Sequence, residues 1–310
     1  GNGSYTTGGT AYTVVGNTGS LTLSGYTFAG WNTLANGSGS TVTSYSTSAD
    51  ITLYAIWNSN STYRVDYSGN SSTAGTAPTA QTVTPGGSVT VAANSGNFVR
   101  TGYTFLGWYS NSAGTGGTPY TPSVTSFIPG SNTTLYANWS PNTFPVVFDS
   151  NTATSGSMSS QTFTAGSAQG LTANAFTKTG YSFANWNTAA NGTGTSYSNL
   201  ASITLYETTT VYAQWTANTF PVLFDSSTAT SGSMSNQTYT AGAGQALTTN
   251  GFSKTGFSFA GWATSSGGSV VYTDTQSITL YETTTVYAKW TGNNLTVRFF
   301  ANSGSGSMSN

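Results

Sequence analysis

Cysteine and histidine are both missing from this chain. Without cysteine there is no disulfide framework and no thiol chemistry. Without histidine the commonest general base and metal ligand is gone. Charge is scarce too: six Lys and Arg, seven Asp and Glu and a net charge of −1 make up 4% of the residues, against about 25% in an ordinary soluble protein. No basic field exists to attract nucleic acid or anionic lipid, and no acidic field to gather cations. No apolar run reaches the roughly 18 residues a membrane-spanning helix needs, so membrane insertion is not expected. No signal peptide is visible behind Gly1, which reads as a processed mature chain or an excised segment. Polarity comes instead from Ser, Thr, Asn and Gly, and almost no charge repulsion resists self-association.

Large apolar groups are plentiful. Eight Trp, 19 Tyr and 16 Phe are too many for a disordered chain, despite 38 Gly. They recur with a period. "GYTFAGW" (25–31), "GYTFLGW" (102–108), "GYSFANW" (180–186) and "GFSFAGW" (256–262) end on Trp31, Trp108, Trp186 and Trp262, spaced 77, 78 and 76 residues apart. A second motif follows each: "TLYAIW" ending at Trp57, "TLYANW" at Trp139, "TVYAQW" at Trp215 and "TVYAKW" at Trp290. A third, "NTFPVVFDS" from Asn142 and "NTFPVLFDS" from Asn218, opens two units, with "STYRVDYS" from Ser61 a diverged form. The chain therefore reads as repeats 1–58, 59–140, 141–216 and 217–291, followed by a segment 292–310.

Each repeat reads as strands. In the openers Phe144, Val146 and Phe148 alternate with Pro145 and Val147, giving one apolar face. Pro145 and Pro221 cannot donate to a ladder, so the opener is expected at a sheet edge or to end at the proline. "QTFTAG" (161–166) reads as a second strand, and the stretch after it could hold one short helical turn. "NTLANGSGS" (32–40) and "NTAANGTGT" (187–195) carry Asn-Gly hairpin signals, because both residues tolerate positive φ. The expected fold is mainly β, with small four- or five-stranded modules strung into an elongated rod, and with all eight tryptophans on the core side.

The run G-Y-T-F-x-G-W, then N-G-x-G, then T-L-Y-A-x-W resembles the Listeria–Bacteroides repeat, the internalin B-repeat-like module of bacterial surface proteins. The resemblance covers nearly the whole chain four times over. It implies β-grasp-like small α+β modules, here with little helix, on secreted or wall-attached proteins that include adhesins. It carries no catalytic residue to transfer.

An enzyme is not expected. The carboxylates Asp50, Asp66, Asp149, Glu207, Asp225, Asp274 and Glu282 are scattered over four modules and read as strand-end or turn acceptors. No D-x-D-x-D cluster points to calcium, and no cofactor is implied. A Lys–Asn isopeptide crosslink would need lysine in every module. Lys178 and Lys254 are equivalent, but Arg100 takes that place in repeat 2 and Ser24 lies nearby in repeat 1. Thr-rich ice binding would need regular ranks on a flat face, and these are not seen. In repeat 2 the stretch 117–130 is the one irregularity that resembles a site. Tyr54, Tyr136, Tyr212 and Tyr287 fall on the outward face of the last strand and could form an exposed aromatic ladder.

Two functions are weighed. The first is a structural, non-enzymatic subunit or segment of an extracellular bacterial filament or surface fibre, whose partner is another copy of itself. The second is an adhesin stalk that binds glycan or a host protein through the tyrosine ladder. The final segment, "LTVRFFANSGSGSMSN" (295–310), favours the first. Leu295, Val297 and Phe299 take the places of Phe144, Val146 and Phe148, and Met308 matches Met158 and Met234. It reads as an opening strand with no module after it. Repeat 1 begins without an opener, with Tyr5 where the methionine should be. Donor-strand complementation between copies would repair both ends. The alternative is a longer chain of which these residues are a window.

Overall fold

The computed structural model describes residues 11–14, 16–46, 49–300, 302–306 and 308. Two compact units divide the chain, residues 1–143 and 144–310. The first holds repeats 1 and 2. The second holds repeats 3 and 4 and the C-terminal segment. The fold is mainly β: no helix occurs among the described residues.

Repeat 3 shows the module in full. Its opening strand is Thr143–Asp149, the second Gln161–Thr164, the third Tyr181–Asn187, the fourth Ser196–Tyr197 and the closing strand Thr209–Ala217. They lie side by side in the order second, opening, closing, third, fourth. The opening and closing strands are parallel, with Val146 beside Thr209 and Phe148 beside Val211. The third strand is antiparallel to the closing strand and places Trp186 beside Ala213. Repeat 2 has the same five-stranded order, and repeat 4 keeps four strands, its fourth reduced to a bridge between Trp262 and Tyr272.

The third strand explains its own motif. Phe183 and Trp186 are three residues apart and would face opposite sides of a regular strand. The ladder slips between Phe183 and Asn185, and the bulge returns both rings to the core side. Gly30, Gly107 and Gly261 hold the equivalent place at φ between 138° and 143°, where a side chain would be strained. Trp186 then becomes the hub of the core, with ring centroids 5.0 Å from Phe148, 5.1 Å from Phe183 and 6.2 Å from Phe176. Trp108 and Trp262 repeat this arrangement and all three are fully buried. The second tryptophans, Trp139, Trp215 and Trp290, are half-buried at the flank of each cluster.

Two local expectations are corrected, and two local details are added. The opening strand is internal, not an edge. Its parallel ladder begins at Val146 or Val222, one residue past the proline, so the missing N–H falls where that side is not yet paired. The stretch after the second strand is extended, not helical: Ala168–Gly170 pairs with Ser202–Thr204 and carries Leu171 and Ile203 into the core. In the hairpins only Gly37 and Gly192 take positive φ. Asn36 and Asn191 instead accept the N–H of Ser38 and Thr193 on Oδ1. The irregular stretch of repeat 2 belongs to the module: Pro119–Tyr120 is its fourth strand, and Ser126–Phe127 pairs with Val89–Thr90.

Repeat 1 is different. Among the described residues its sheet is the third strand Tyr26–Asn32 against the closing strand Tyr54–Ser59, with a small pair Tyr12–Thr13 and Ser44–Tyr45. Buried core clusters form in repeats 2, 3 and 4 and not among the described residues of repeat 1. Tyr5 and its neighbours lie outside the described residues.

Candidate functional site

What an opening strand supplies is visible in repeats 2 and 3. Val65, Val146 and Val222 are each 0% exposed between the two neighbouring strands. Past the strand the chain turns through two left-handed residues, Asn70 and Ser71 (φ 45° and 69°) or Asn151 and Thr152 (φ 46° and 69°). Asparagine tolerates that conformation because its short amide bonds locally. Asn70 Nδ2 donates to Ser112 O and Ala137 O, both at 2.9 Å. Asn151 Nδ2 donates to Ala190 O at 2.9 Å and Ala213 O at 2.8 Å. One amide thus ties the opening turn to the hairpin after the third strand and to the closing strand. The second tryptophan reaches the same turn: Trp139 Nε1 donates to Gly69 O (3.0 Å), Trp215 Nε1 to Ser150 O (3.1 Å) and Trp290 Nε1 to Ser226 O (3.4 Å).

Among the described residues the closing strand of repeat 1 pairs with its third strand alone. Leu135, Val211 and Val286 are buried on the closing strands of the other repeats, whereas Leu53 is half-buried; Ala55 and Trp31 are likewise half-buried where their counterparts are covered. Tyr54 is 41% exposed. Tyr136, Tyr212 and Tyr287, expected with it as an exposed ladder, are half-buried, because Ser68, Asp149 and Asp225 of the opening strands lie beside them.

The C-terminal segment carries the residue pattern of an opener. Residues 293–300 form no strand, and Leu295, Val297 and Phe299 are 84%, 62% and 54% exposed. Phe300 and Met308 are exposed as well, whereas Met158 and Met234 pack against their cores. The residues after the segment nevertheless turn as those past an opener do. Asn302 and Ser303 are left-handed (φ 36° and 79°), and Gly306 has positive φ like Gly75, Gly156 and Gly232.

One recurring feature went unread in the sequence. Asn60 N donates to Gly25 O (2.7 Å), Asn142 N to Gly102 O (2.9 Å), Asn218 N to Gly180 O (2.9 Å) and Asn293 N to Gly256 O (2.9 Å). Each side chain also accepts a hydroxyl, from Thr27, Thr104, Ser182 and Ser258. Every closing strand therefore hands over to the next residues through the same asparagine clip, and the C-terminal segment leaves repeat 4 through it. The signal was the Asn at equal distance past each final Trp.

Three of the seven carboxylates serve turns. Asp149 Oδ1 accepts Asn151 N–H, Asp225 Oδ1 accepts Ser227 N–H and Asp274 Oδ1 accepts Asn250 N–H, while Asp66 pairs with exposed Arg64 at 2.8 Å. No group of three potential metal ligands occurs among the described residues. Within the second unit an open hollow is lined by Thr152, Thr154, Lys178, Thr179, Tyr181 and Tyr281. Its cation is already engaged, since Lys178 Nζ donates to Thr152 Oγ1 at 2.7 Å and lies 4.5 Å over the Tyr181 ring. Burial pushes the phenols of Tyr67 and Tyr239 above their ordinary range, partly offset at Tyr67 by the N–H of Ala92. No described helix is long and apolar enough to cross a membrane.

A family model described as the Listeria-Bacteroides repeat domain matches residues 1–56, 63–138, 144–214 and 220–289. A protein of Evansella cellulosilytica named "Putative Gly-rich membrane protein" is 35% identical over 225 residues, covering 71% of this chain and 26% of its own length. A second from the same organism, "Putative membrane protein", is 33% identical over 122 residues, covering 38% of this chain and 18% of its own length. The chain thus spans about a quarter or less of these relatives.

Proposed function

The chain belongs to the Listeria-Bacteroides repeat domain family, and from that premise we propose that it is a structural, non-enzymatic segment or subunit of an extracellular fibre at a bacterial cell surface. The membrane-protein names of two relatives and the family's place in surface proteins support that setting. Copies join head to tail, the C-terminal segment of one completing repeat 1 of the next as a donated strand. A contact of this kind is heterologous and propagates as a filament instead of closing as a dimer.

The observation that carries this reading is a matched pair of defects. Repeats 2, 3 and 4 each bury an opening strand against a parallel closing strand. Among the described residues the closing strand of repeat 1 pairs with its third strand alone, and residues 295–300 have an opener's pattern with its apolar side chains in solvent. Burying Val297, Phe299 and Leu295 is worth roughly 1.5–3 kcal/mol each. The adhesin reading has less support, since only Tyr54 of its four tyrosines is exposed.

Electron microscopy and light scattering of the purified chain over a concentration series test the reading. Filaments are expected from the full chain, and monomers from a chain lacking residues 293–310. A full chain that stays monomeric at every concentration overturns it.

A further inference from the structure

We propose that Gln169 and Gln245 guard the outer edge of the second strand in repeats 3 and 4. Their side-chain amides hold backbone groups that would otherwise pair with the same edge of a second copy. This guard lies wholly within each repeat and works whether or not copies join head to tail.

The second strands Gln161–Thr164 and Gln237–Thr240 are the outermost of their sheets, each paired on one side with its opener. In repeat 4 Tyr239 lies beside Phe220 and Gln237 beside Val222, and the N–H of Ala241 reaches Asn218 O at 2.9 Å. The peptide groups of these odd-numbered residues therefore face the opener, and those of Thr238 and Thr240 face outward. Such an outward row is a template for another strand, and proteins commonly blunt it with charge. Neither 161–164 nor 237–240 carries a charged residue.

An amide stands there instead. Gln245 Oε1 accepts the N–H of Thr240 at 2.7 Å, and its Nε2 donates to Thr238 O at 3.4 Å. One side chain thus accepts and donates as a peptide group of a neighbouring strand would. Gln169 Oε1 likewise accepts the N–H of Thr164 at 2.7 Å. The carbonyls of Thr164 and Thr240 are taken by the N–H groups of Ser167 and Ala243. The guards are themselves held, because their backbones pair with Ile203 and Ile278. Gln161 and Gln237 tie the other end of each strand to the same stretch, with Nε2 donating to Gly170 O and Ala246 O at 2.8 Å. Repeat 2 offers the contrast. Val89 stands eight residues past Gln81, where the guard would be, and the second strand shrinks to Gln81–Val83 with Pro85 soon after. A short edge next to proline is a different way to the same end.

Because the chain has no cysteine, a single introduced thiol can be read without background. Thr238→Cys in the full chain puts one on the exposed edge of repeat 4. Adding Gln245→Met keeps the side chain's length and removes its amide. Under mild oxidation, that addition should speed disulfide-linked dimer formation at least tenfold, well below the variant's melting temperature. Adding Gln276→Met instead removes a glutamine that accepts the N–H of Thr273 in a turn of the same repeat, and should leave the rate unchanged. Thr162→Cys with Gln169→Met puts the same question to repeat 3 and should show the same acceleration, so the test survives if one variant fails to fold. Equal rates with and without the guard in a folded variant, equal acceleration by Gln276→Met, or acceleration seen only above the melting temperature overturns the guard.

Discussion

Asn70, Asn151, Ser227 and Asn302 occupy one position of the repeat, and the odd residue among them is informative. Ser227 keeps the left-handed backbone (φ 49°), but its Oγ is buried with no hydrogen-bond partner. Its side chain is too short to reach the carbonyls that the asparagine amides bridge. Ser227→Asn should therefore stabilise repeat 4 by about 1 kcal/mol, from the amide bonds and a better left-handed residue. Thermal denaturation of the two chains checks it, and an unchanged or lowered midpoint would contradict the latch geometry. Little of this was legible beforehand, because asparagine is so common in the chain that no single one stands out. The buried Asn187 shows the same limit. Its amide donates to Gly192 O and Gly194 O while Oδ1 accepts Ala189 N–H and Gly194 N–H, so the hairpin is organised from its first residue and not only from the Asn-Gly pair that marked it. Two phenols add a pH response. Tyr67 and Tyr239 titrate above their ordinary value in the fold because burial disfavours the phenolate. Their stabilisation is complete below the unfolded value of about 10 and is lost as pH rises from there through the raised values. Melting temperature should fall as pH rises above about 10, and Tyr67→Phe should make that fall shallower in repeat 2 while lowering the midpoint at pH 8 by removing the bonds to Gln81 and Ala92.

At the scale of strands, the aromatic motifs were strong guides and proline was a misleading one. Alternation in 144–148 correctly marked Val146 and Phe148 as inward, and the two-tryptophan pattern marked the third and closing strands. Pro145 appeared to demand an edge because proline removes a donor. The demand is met more cheaply by where the ladder starts, and that depends on a partner some 60 residues away. The extended stretch at 168–170 was unreadable for a similar reason: its partner, 202–204, lies beyond two other strands. The internal position of the opener has a measurable consequence. Val222 sits between two strands with no exposure, so Val222→Asp places a carboxylate where neither water nor a cation reaches it. The cost should exceed about 3 kcal/mol and unfold repeat 4 as a unit. Val270→Asp, at a residue in the same repeat that is half in solvent, should change stability by less than about 0.5 kcal/mol. Loss of repeat 4 in both variants, read by denaturant titration, would mean the buried face has been assigned wrongly.

Over the whole molecule, period rather than composition organised the chain, and the four matched tracts follow the tryptophan spacing. Composition alone, poor in charge and rich in small polar residues, did not distinguish repeat 1 from the rest. What sets repeat 1 apart among the described residues is a closing strand paired on one side alone. Its effect on stability should be large, because small modules bury just enough apolar surface to fold. Repeats 2, 3 and 4 each close a cluster around a fully buried tryptophan, while Trp31 stays half-buried and packs against Phe28 at 5.3 Å, with Phe28 in turn 5.7 Å from Trp57. Repeat 1 should consequently open most readily. In hydrogen exchange at a concentration where the chain is monomeric, amides of 26–32 and 54–59 should exchange at least tenfold faster than those of 181–187 and 209–217, although the two pairs of strands have the same hydrogen-bonded register. Adding a peptide of residues 293–310 should slow exchange at 54–59 and leave 209–217 as it was, since among the described residues the closing strand of repeat 1 is paired on one side and that of repeat 3 on both. Equal protection of the two strand pairs in the free chain would show that repeat 1 is complete without a donor, and head-to-tail joining would then have no stability to gain.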